Sequence, residues 1–270
     1  MMRYRKGSIA LSTTRDRPIL RQALDSGFIS HSQLFEFLKL DYCVSSRNAF
    51  NNRVLRLVRH GLLIRHDLPS THHESIYSLS SAGAQRLVSG EYCPPHVDAG
   101  ASRSRCAQIP HSLELNEIHL ALKRSGSLIY WMAEPAIRSR SDLASGYWKY
   151  YDAVVTVRSA GCDYKFALEY ERTPKAARHY VAIRERIEHE SAITHFLYLA
   201  PNYDLLGFVA DKLRGCSRAI YFGLLKDFLE QTMAMSVRQN GSPVSTTLTT
   251  ALSRGKAIQR AGNLFADIAV

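Results

Sequence analysis

Three acids sit where otherwise apolar strands begin and end. Asp152 opens the run Asp-Ala-Val-Val-Thr-Val, and Glu169 and Glu171 close Phe-Ala-Leu-Glu-Tyr-Glu. Residues two apart on a strand share a face, and the turn Ser159-Ala160-Gly161-Cys162 returns Asp152 to the neighbourhood of the two glutamates. Carboxylates gathered in this way repel one another until a pKa rises or a cation is bound, and hard oxygens of this type suit Mg2+ or Mn2+. Glu134, at the end of an earlier strand, and Glu117, on the helix before it, are candidates for a further ligand or a base. The structural alternative is that the acids merely end their strands and pair with Arg172, Lys175 or Arg178.

The elements that must position these acids follow from periodicity. A helix is expected over 112–125, strands over 128–134, 151–158 and 164–171, a long helix over 174–191, a strand over 194–199, a helix over 203–213 and a strand over 218–224. A helix, a three-stranded meander and then alternating helices and strands make a mixed α/β layer. From residue 236 onward Ser, Thr and Gly dominate, and a short helical signal spans 247–261, so this tail is expected to be partly disordered or helical.

The first part of the chain has a different pattern: three short helices over 15–25, 31–40 and 48–60, then two strands over 62–66 and 75–79. Ser30 and Ser45 or Ser46 are the expected N-caps, and Gly27 and Gly61 the stops. This is a winged helix-turn-helix, a fold whose third helix enters the DNA major groove N-terminal end first. Arg47, Asn48, Asn51 and Asn52 lie at that end, followed by Arg53 and Arg56. Arginine reads guanine and asparagine reads adenine in bidentate fashion, so the mixture suits base readout, although the same face also serves in winged helices that contact proteins. The organisation expected is an arm at 1–13, the winged helix at 14–88, a Gly/Pro/Ser-rich linker at 89–110, the mixed α/β layer at 111–235 and a tail at 236–270.

Composition agrees with a polyanionic partner. The chain of 270 residues carries 35 Lys+Arg against 24 Asp+Glu, a net charge of +11, and 26 of the cations are arginine, the side chain that forks onto phosphate and guanine. No apolar run approaches the roughly 18 residues of a membrane span, and no apolar stretch follows the basic first residues as a signal peptide requires, so a cytoplasmic protein is expected. The five cysteines are odd in number and far apart, hence expected to be reduced; Cys93, His96, Cys106 and His111 are a less favoured zinc set, since paired Cys-x-x-Cys knuckles are missing. There is no Gly-x-Ser-x-Gly elbow, phosphate loop or dinucleotide fingerprint.

Two resemblances sharpen these expectations. Leu57-Val-Arg-His-Gly-Leu-Leu-Ile-Arg65 and Ile76-Tyr-Ser-Leu-Ser-Ser-Ala-Gly-Ala-Gln-Arg-Leu87 resemble the end of a recognition helix, the wing and the closing Tyr-x-Leu-Ser-x-x-Gly turn of bacterial regulators. Asp152, a hairpin and Glu169-x-Glu171 resemble the restriction-endonuclease-like motif of Asp, a turn, then Glu-x-Lys, with Glu171 in place of the lysine. The missing cation would then come from Lys175, Arg184 or Arg186. His111-Ser-Leu-Glu-Leu-Asn-Glu-Ile-His-Leu-Ala-Leu122, Trp131-Met-Ala-Glu134, Tyr151-Asp152 and Leu168-Glu-Tyr-Glu-Arg-Thr173 are similar to the replication-relaxation family and the related MOB-C mobilisation relaxases.

The resemblance, spanning about residues 14–230, implies an α+β protein: an N-terminal winged helix-turn-helix followed by a restriction-endonuclease-like domain. It implies a Mg2+- or Mn2+-dependent nickase that opens one strand at a plasmid or mobile-element origin of transfer. Asp152 and Glu169 would hold the metal, Glu171 and Glu134 would assist, and Lys175 would be the catalytic cation. Water is the expected nucleophile, with Tyr150, Tyr151, Tyr170 and Tyr180 as the tyrosine alternatives. The partners expected are double-stranded DNA carrying an origin of transfer or an operator, other mobilisation proteins or a coupling protein, and a second copy of the chain, with no membrane. The alternative is a non-catalytic winged-helix regulator or replication accessory protein whose nuclease domain is degenerate.

Overall fold

A computed structural model describes residues 9–67, 74–87, 107–141 and 146–254. The chain divides into two compact units, residues 1–120 and 121–270. Among the described residues no helix is long and apolar enough to cross a membrane. Cys93, His96 and Cys106 of the considered zinc set lie outside them.

In the first unit α1 (Asp16–Ser26), β1 (Ile29–Ser30), α2 (His31–Tyr42), α3 (Arg47–Arg59), β2 (Leu63–His66), β3 (Ile76–Leu79) and α4 (Ser81–Leu87) follow in order. Their starts are chemical. Ser30 and Gln33 form a capping box, the Ser30 hydroxyl accepting from the Gln33 backbone N–H while the Gln33 side chain accepts from Ser30, and Ser46 caps α3 through the Ala49 N–H. The three strands lie in the order β1-β3-β2, a wing with one strand more than the periodicity predicts, because two residues are too few to show alternation. Ile19, Leu20, Phe37, Phe50, Val54 and Leu57 converge into one core. Ile9 and Leu11 pack against that core, so this part of the expected arm is not detached.

The closing Tyr-x-Leu-Ser-x-x-Gly turn has a steric reason. A Cβ on Gly83 would stand 2.2 Å from the Leu62 carbonyl oxygen, so α4 can lie against the strand only with glycine there.

The expected boundary moves. The helix α5 (Ile109–Arg124) begins within the assigned linker, and its residues up to 120 count with the first unit. The Asn116 side chain donates to the Phe28 carbonyl at 2.9 Å, and Gln33 donates to the Leu113 carbonyl and to Glu117 Oε1, each at 2.8 Å. Glu117 is thus bonded to Gln33 of the winged unit.

The second unit is built on a seven-stranded sheet in the order β10-β9-β8-β7-β6-β5-β4. β4 (Leu128–Ala133), β5 (Ala153–Ser159) and β6 (Cys162–Tyr170) form the antiparallel meander; β7 (His195–Ala200) and β8 (Ala219–Leu224) add in parallel. Ala160 and Gly161, at φ 49° and 79°, supply the two left-handed residues of the tight β5–β6 turn. The parallel strands are joined by α7 (Ala177–His189) and α8 (Tyr203–Lys212), whose Tyr180, Ile183, Ile187, Leu205 and Val209 bury Val154, Ala167, Phe196, Tyr198 and Phe222 of the sheet. The fold is mixed α+β, an antiparallel meander extended by parallel strands.

Four further elements, two helices and two strands, were not expected from periodicity, whereas a helix was expected within 247–261. α6 (Glu134–Ser141) follows β4 directly, and α9 (Leu225–Gln231) follows β8. The tail assigned from residue 236 instead continues the sheet through β9 (Ser236–Gln239) and β10 (Ser245–Thr247) and ends in α10 (Leu248–Ser253). Its Ser/Thr composition reads as solvated chain, but Val237, Leu248, Ala251 and Leu252 are buried.

Candidate active site and the third helix of the winged unit

The acids meet at the carboxyl end of β6, the end of a partly parallel sheet where ligands are commonly bound. The pairing of Ala153 with Leu168 brings Asp152 beside Glu169, and Asp152 Oδ2 accepts the Tyr170 backbone N–H at 2.7 Å. The Glu171 N–H donates to the Leu199 carbonyl, which carries the chain one residue beyond β6 in sheet register. Glu169 and Glu171 are both buried.

Two lysines answer the charge. Lys149 Nζ donates to Glu169 Oε1, and Lys175 Nζ to Glu171 Oε1. Burial pushes the Glu169 carboxyl up to about 7; Lys149 opposes that rise and the nearby Asp152 charge adds to it. Burial also disfavours the Lys175 ammonium, but the Glu171, Glu169 and Asp152 carboxylates outweigh it and hold its pKa above the ordinary lysine value. Lys175, expected from the sequence as the substitute cation, therefore faces the whole acidic group. Lys149 was not expected. Its only sequence signal is its place three residues before Asp152 in Trp-Lys-Tyr-Tyr-Asp, outside any periodic element.

The segment that carries Lys149 is held by Glu190, the C-cap of α7. Its Oε2 accepts from the Trp148 N–H at 3.1 Å and from the Tyr151 hydroxyl at 3.2 Å, and its Oε1 accepts from the Ala192 N–H at 2.9 Å. One buried carboxylate thus fixes the residues on both sides of Lys149.

The remaining expected residues divide. Glu134 starts α6 and pairs with Arg138 four residues on, half-exposed, so it does not join the acids. Arg184 acts on the Cys216 thiol, and no contact brings Arg184 or Arg186 to the acids among the described residues. Of the four candidate tyrosines, Tyr151, Tyr170 and Tyr180 are buried. Burial and then the Glu190 and Glu169 charges push the Tyr151 hydroxyl well up, and the Tyr180 hydroxyl accepts the Lys175 N–H at 3.2 Å, so neither is poised as a nucleophile. Tyr150 alone of the four is exposed, with the Arg138 guanidinium 4.9 Å from its ring centre.

The donor set bears on the expected metal. Among the described residues no three His, Cys, Asp or Glu side chains converge as a cation site. Glu171 pairs with Lys175, Glu134 with Arg138 and Glu169 with Lys149, so each of the three glutamates of the expected ligand set already has a cationic partner. Tyr198 on β7 is level with Glu169; its buried hydroxyl has no hydrogen-bond partner among the described residues. Burial and then the Glu169, Glu171, Tyr151 and Asp152 charges hold it well above the ordinary tyrosine pKa. A hydrated Mg2+ or Mn2+ ion at Asp152 and Glu169 would have to displace Lys149 from Glu169.

The chain is similar to the restriction endonuclease FokI bound to DNA, with 13% identity over 80% of this chain and 43% of that one, at a TM-score of 0.23. It spans less than half of that protein. A likeness at this level assigns neither fold nor activity. No protein-family model matches the chain, and no curated protein does.

In the first unit, α3 presents the six residues expected to read DNA in two groups. Arg47, Asn48, Asn51 and Asn52 are exposed, Arg47 lying 4.5 Å from the centre of the Phe35 ring and Asn51 meeting His31 Nε2 at 2.9 Å. Arg53 and Arg56 instead reach back to Asp16, Arg53 half-buried and Arg56 still exposed. They donate to Oδ1 and Oδ2 of the fully buried Asp16 at 3.0 and 2.6 Å, and the Ser12 N–H adds a third bond. Burial opposes the Asp16 charge, but these donors outweigh it and hold its pKa below the ordinary carboxylate value.

Proposed function

We propose that the protein is a metal-dependent DNA endonuclease of the nicking, relaxase-like type, addressed to its duplex site by the winged helix. The observation that carries this reading is the buried group of Asp152, Glu169 and Lys149 at the carboxyl end of β6, with Lys175 facing it. The raised pKa of Glu169, caused by burial and the neighbouring Asp152 charge, marks a repulsion that a bound cation would relieve. Lys149 holds that carboxylate in place, and the half-exposed Lys175 ammonium offers a cation to charge developing on the scissile phosphate. A divalent ion held by Asp152 and Glu169 would lower the pKa of the water and neutralise the phosphate. Arg47, Asn48, Asn51 and Asn52 supply duplex readout, while the +11 charge supplies sequence-independent attraction.

A second reading has its own support. The ion pairs Lys149–Glu169 and Lys175–Glu171 are also what a closed structural network contains, and this favours a winged-helix regulator or replication accessory protein with a degenerate nuclease domain. Incubation with supercoiled plasmid carrying the native flanking DNA separates the two. The nuclease converts it to open circles with Mn2+ or Mg2+, not with EDTA, and Asp152→Asn abolishes the conversion. A plasmid that is bound and shifted yet never cut under either metal establishes the regulator.

A further inference from the structure

Lys149 is flanked by two of the most exposed large side chains in the second unit. Trp148 is 57% and Tyr150 44% exposed, in a protein where the neighbouring Tyr151 is fully buried. Lys149 turns in toward Glu169 from a bend at residues 148–149, while the rings on either side of it are exposed. Each outward ring has a cationic or cationisable neighbour: the Trp148 indole packs on the His189 imidazole with ring centres 5.4 Å apart, and the Arg138 guanidinium lies 4.9 Å from the centre of Tyr150. The segment is also tied to α7, since Glu190 accepts from the Trp148 backbone N–H and from the Tyr151 hydroxyl.

Each ring thus presents apolar surface to solvent next to a basic side chain. Flat aromatic faces with positive charge beside them match an unpaired nucleotide: the base stacks on the ring and its phosphate meets the cation. A paired base offers no free face. We infer that Trp148 and Tyr150 form a stacking platform for unpaired bases of a DNA strand entering the acidic site. The inference rests on the nuclease reading for its choice of DNA, and it adds the strand state: the site takes a melted or single strand, while the winged helix takes the duplex.

The test measures binding by the full-length protein in EDTA, where no cleavage intervenes. Fluorescence anisotropy is followed with a labelled 12-nucleotide oligo(dT) and with a 12-base-pair duplex. Trp148→Leu and Tyr150→Leu each weaken oligo(dT) binding about tenfold, Trp148→Phe restores most of the loss, and duplex affinity is unchanged. With Trp131→Phe as background, oligo(dT) quenches the fluorescence of the remaining Trp148. Oligo(dT) affinity unchanged by the leucine variants, or lost equally with duplex affinity, overturns the platform whether or not the plasmid is nicked. Selective loss in a protein that never nicks leaves the platform standing and removes the nuclease.

Discussion

Replacing Glu169 by glutamine should stabilise the second unit at neutral pH while it removes nicking. Glutamine keeps the shape of the protonated carboxyl and cannot ionise. In the wild type the folded carboxyl titrates at about 7, against an ordinary value of 4.5. Below the ordinary value both folded and unfolded chains hold the proton, and above about 7 neither does. Between them the folded state binds more protons than the unfolded one, so wild-type stability falls as pH rises, by about 1.4 kcal/mol per pH unit and about 3 kcal/mol across the window. The variant lacks that slope. Lys149 faces a neutral partner in the variant at every pH, as it does in the protonated wild type, so its contribution cancels at low pH. Both tryptophans, Trp131 and Trp148, lie in the second unit, so urea unfolding followed by their fluorescence at pH 4.5, 6, 7 and 8 reports the right part of the molecule. The two proteins should melt together at pH 4.5 and the variant should lead by about 3 kcal/mol at pH 8. A variant less stable than wild type at pH 8 refutes the reasoning, because the Glu169 carboxylate would then be a net stabilising ion pair and not a strained one.

Asp16→Asn has the opposite pH signature. The depressed Asp16 pKa contributes stability above the ordinary carboxylate range that is lost as pH falls through it, so the variant is weaker by about 2 kcal/mol at pH 7 and loses less than wild type on acidification, read by thermal melts across pH 3–7. Gly83→Ala forces Cβ against the Leu62 carbonyl and should lower the stability of the winged unit by about 1–3 kcal/mol in the same melts. Arg47→Ala should weaken duplex binding without changing the melting temperature, whereas Arg53→Ala should lower the melting temperature because it strips a donor from buried Asp16; mobility shifts and calorimetry on both variants check the contrast.

What the sequence made legible was whatever short-range chemistry encodes. Ser30 and Ser46 announce their helices by capping, the Ala160–Gly161 turn announces the hairpin, and the hairpin brings Asp152 to Glu169. What stayed hidden depends on contacts between distant residues. Asp16 lies 37 and 40 positions before the arginines it binds, so Arg53 and Arg56 look like surface cations in the sequence. Lys149 belongs to no periodic element and acquires its role from Glu190, which lies far along the chain on another element. The β9–β10 edge has a polar composition and is a strand because β8 offers it a ladder.

The Asp16 clasp separates two jobs that α3 would otherwise combine. Its two guanidinium groups fix the rotation of the helix about its axis from beneath, while Arg47, Asn48 and Asn52 on the first turns take no part in that anchoring. Asn48 and Asn52 can therefore be exchanged with the helix seated as before. A helix built this way keeps its seating apart from its outward face, so that face can drift, or be rewritten by design, without renegotiating the fold that presents it.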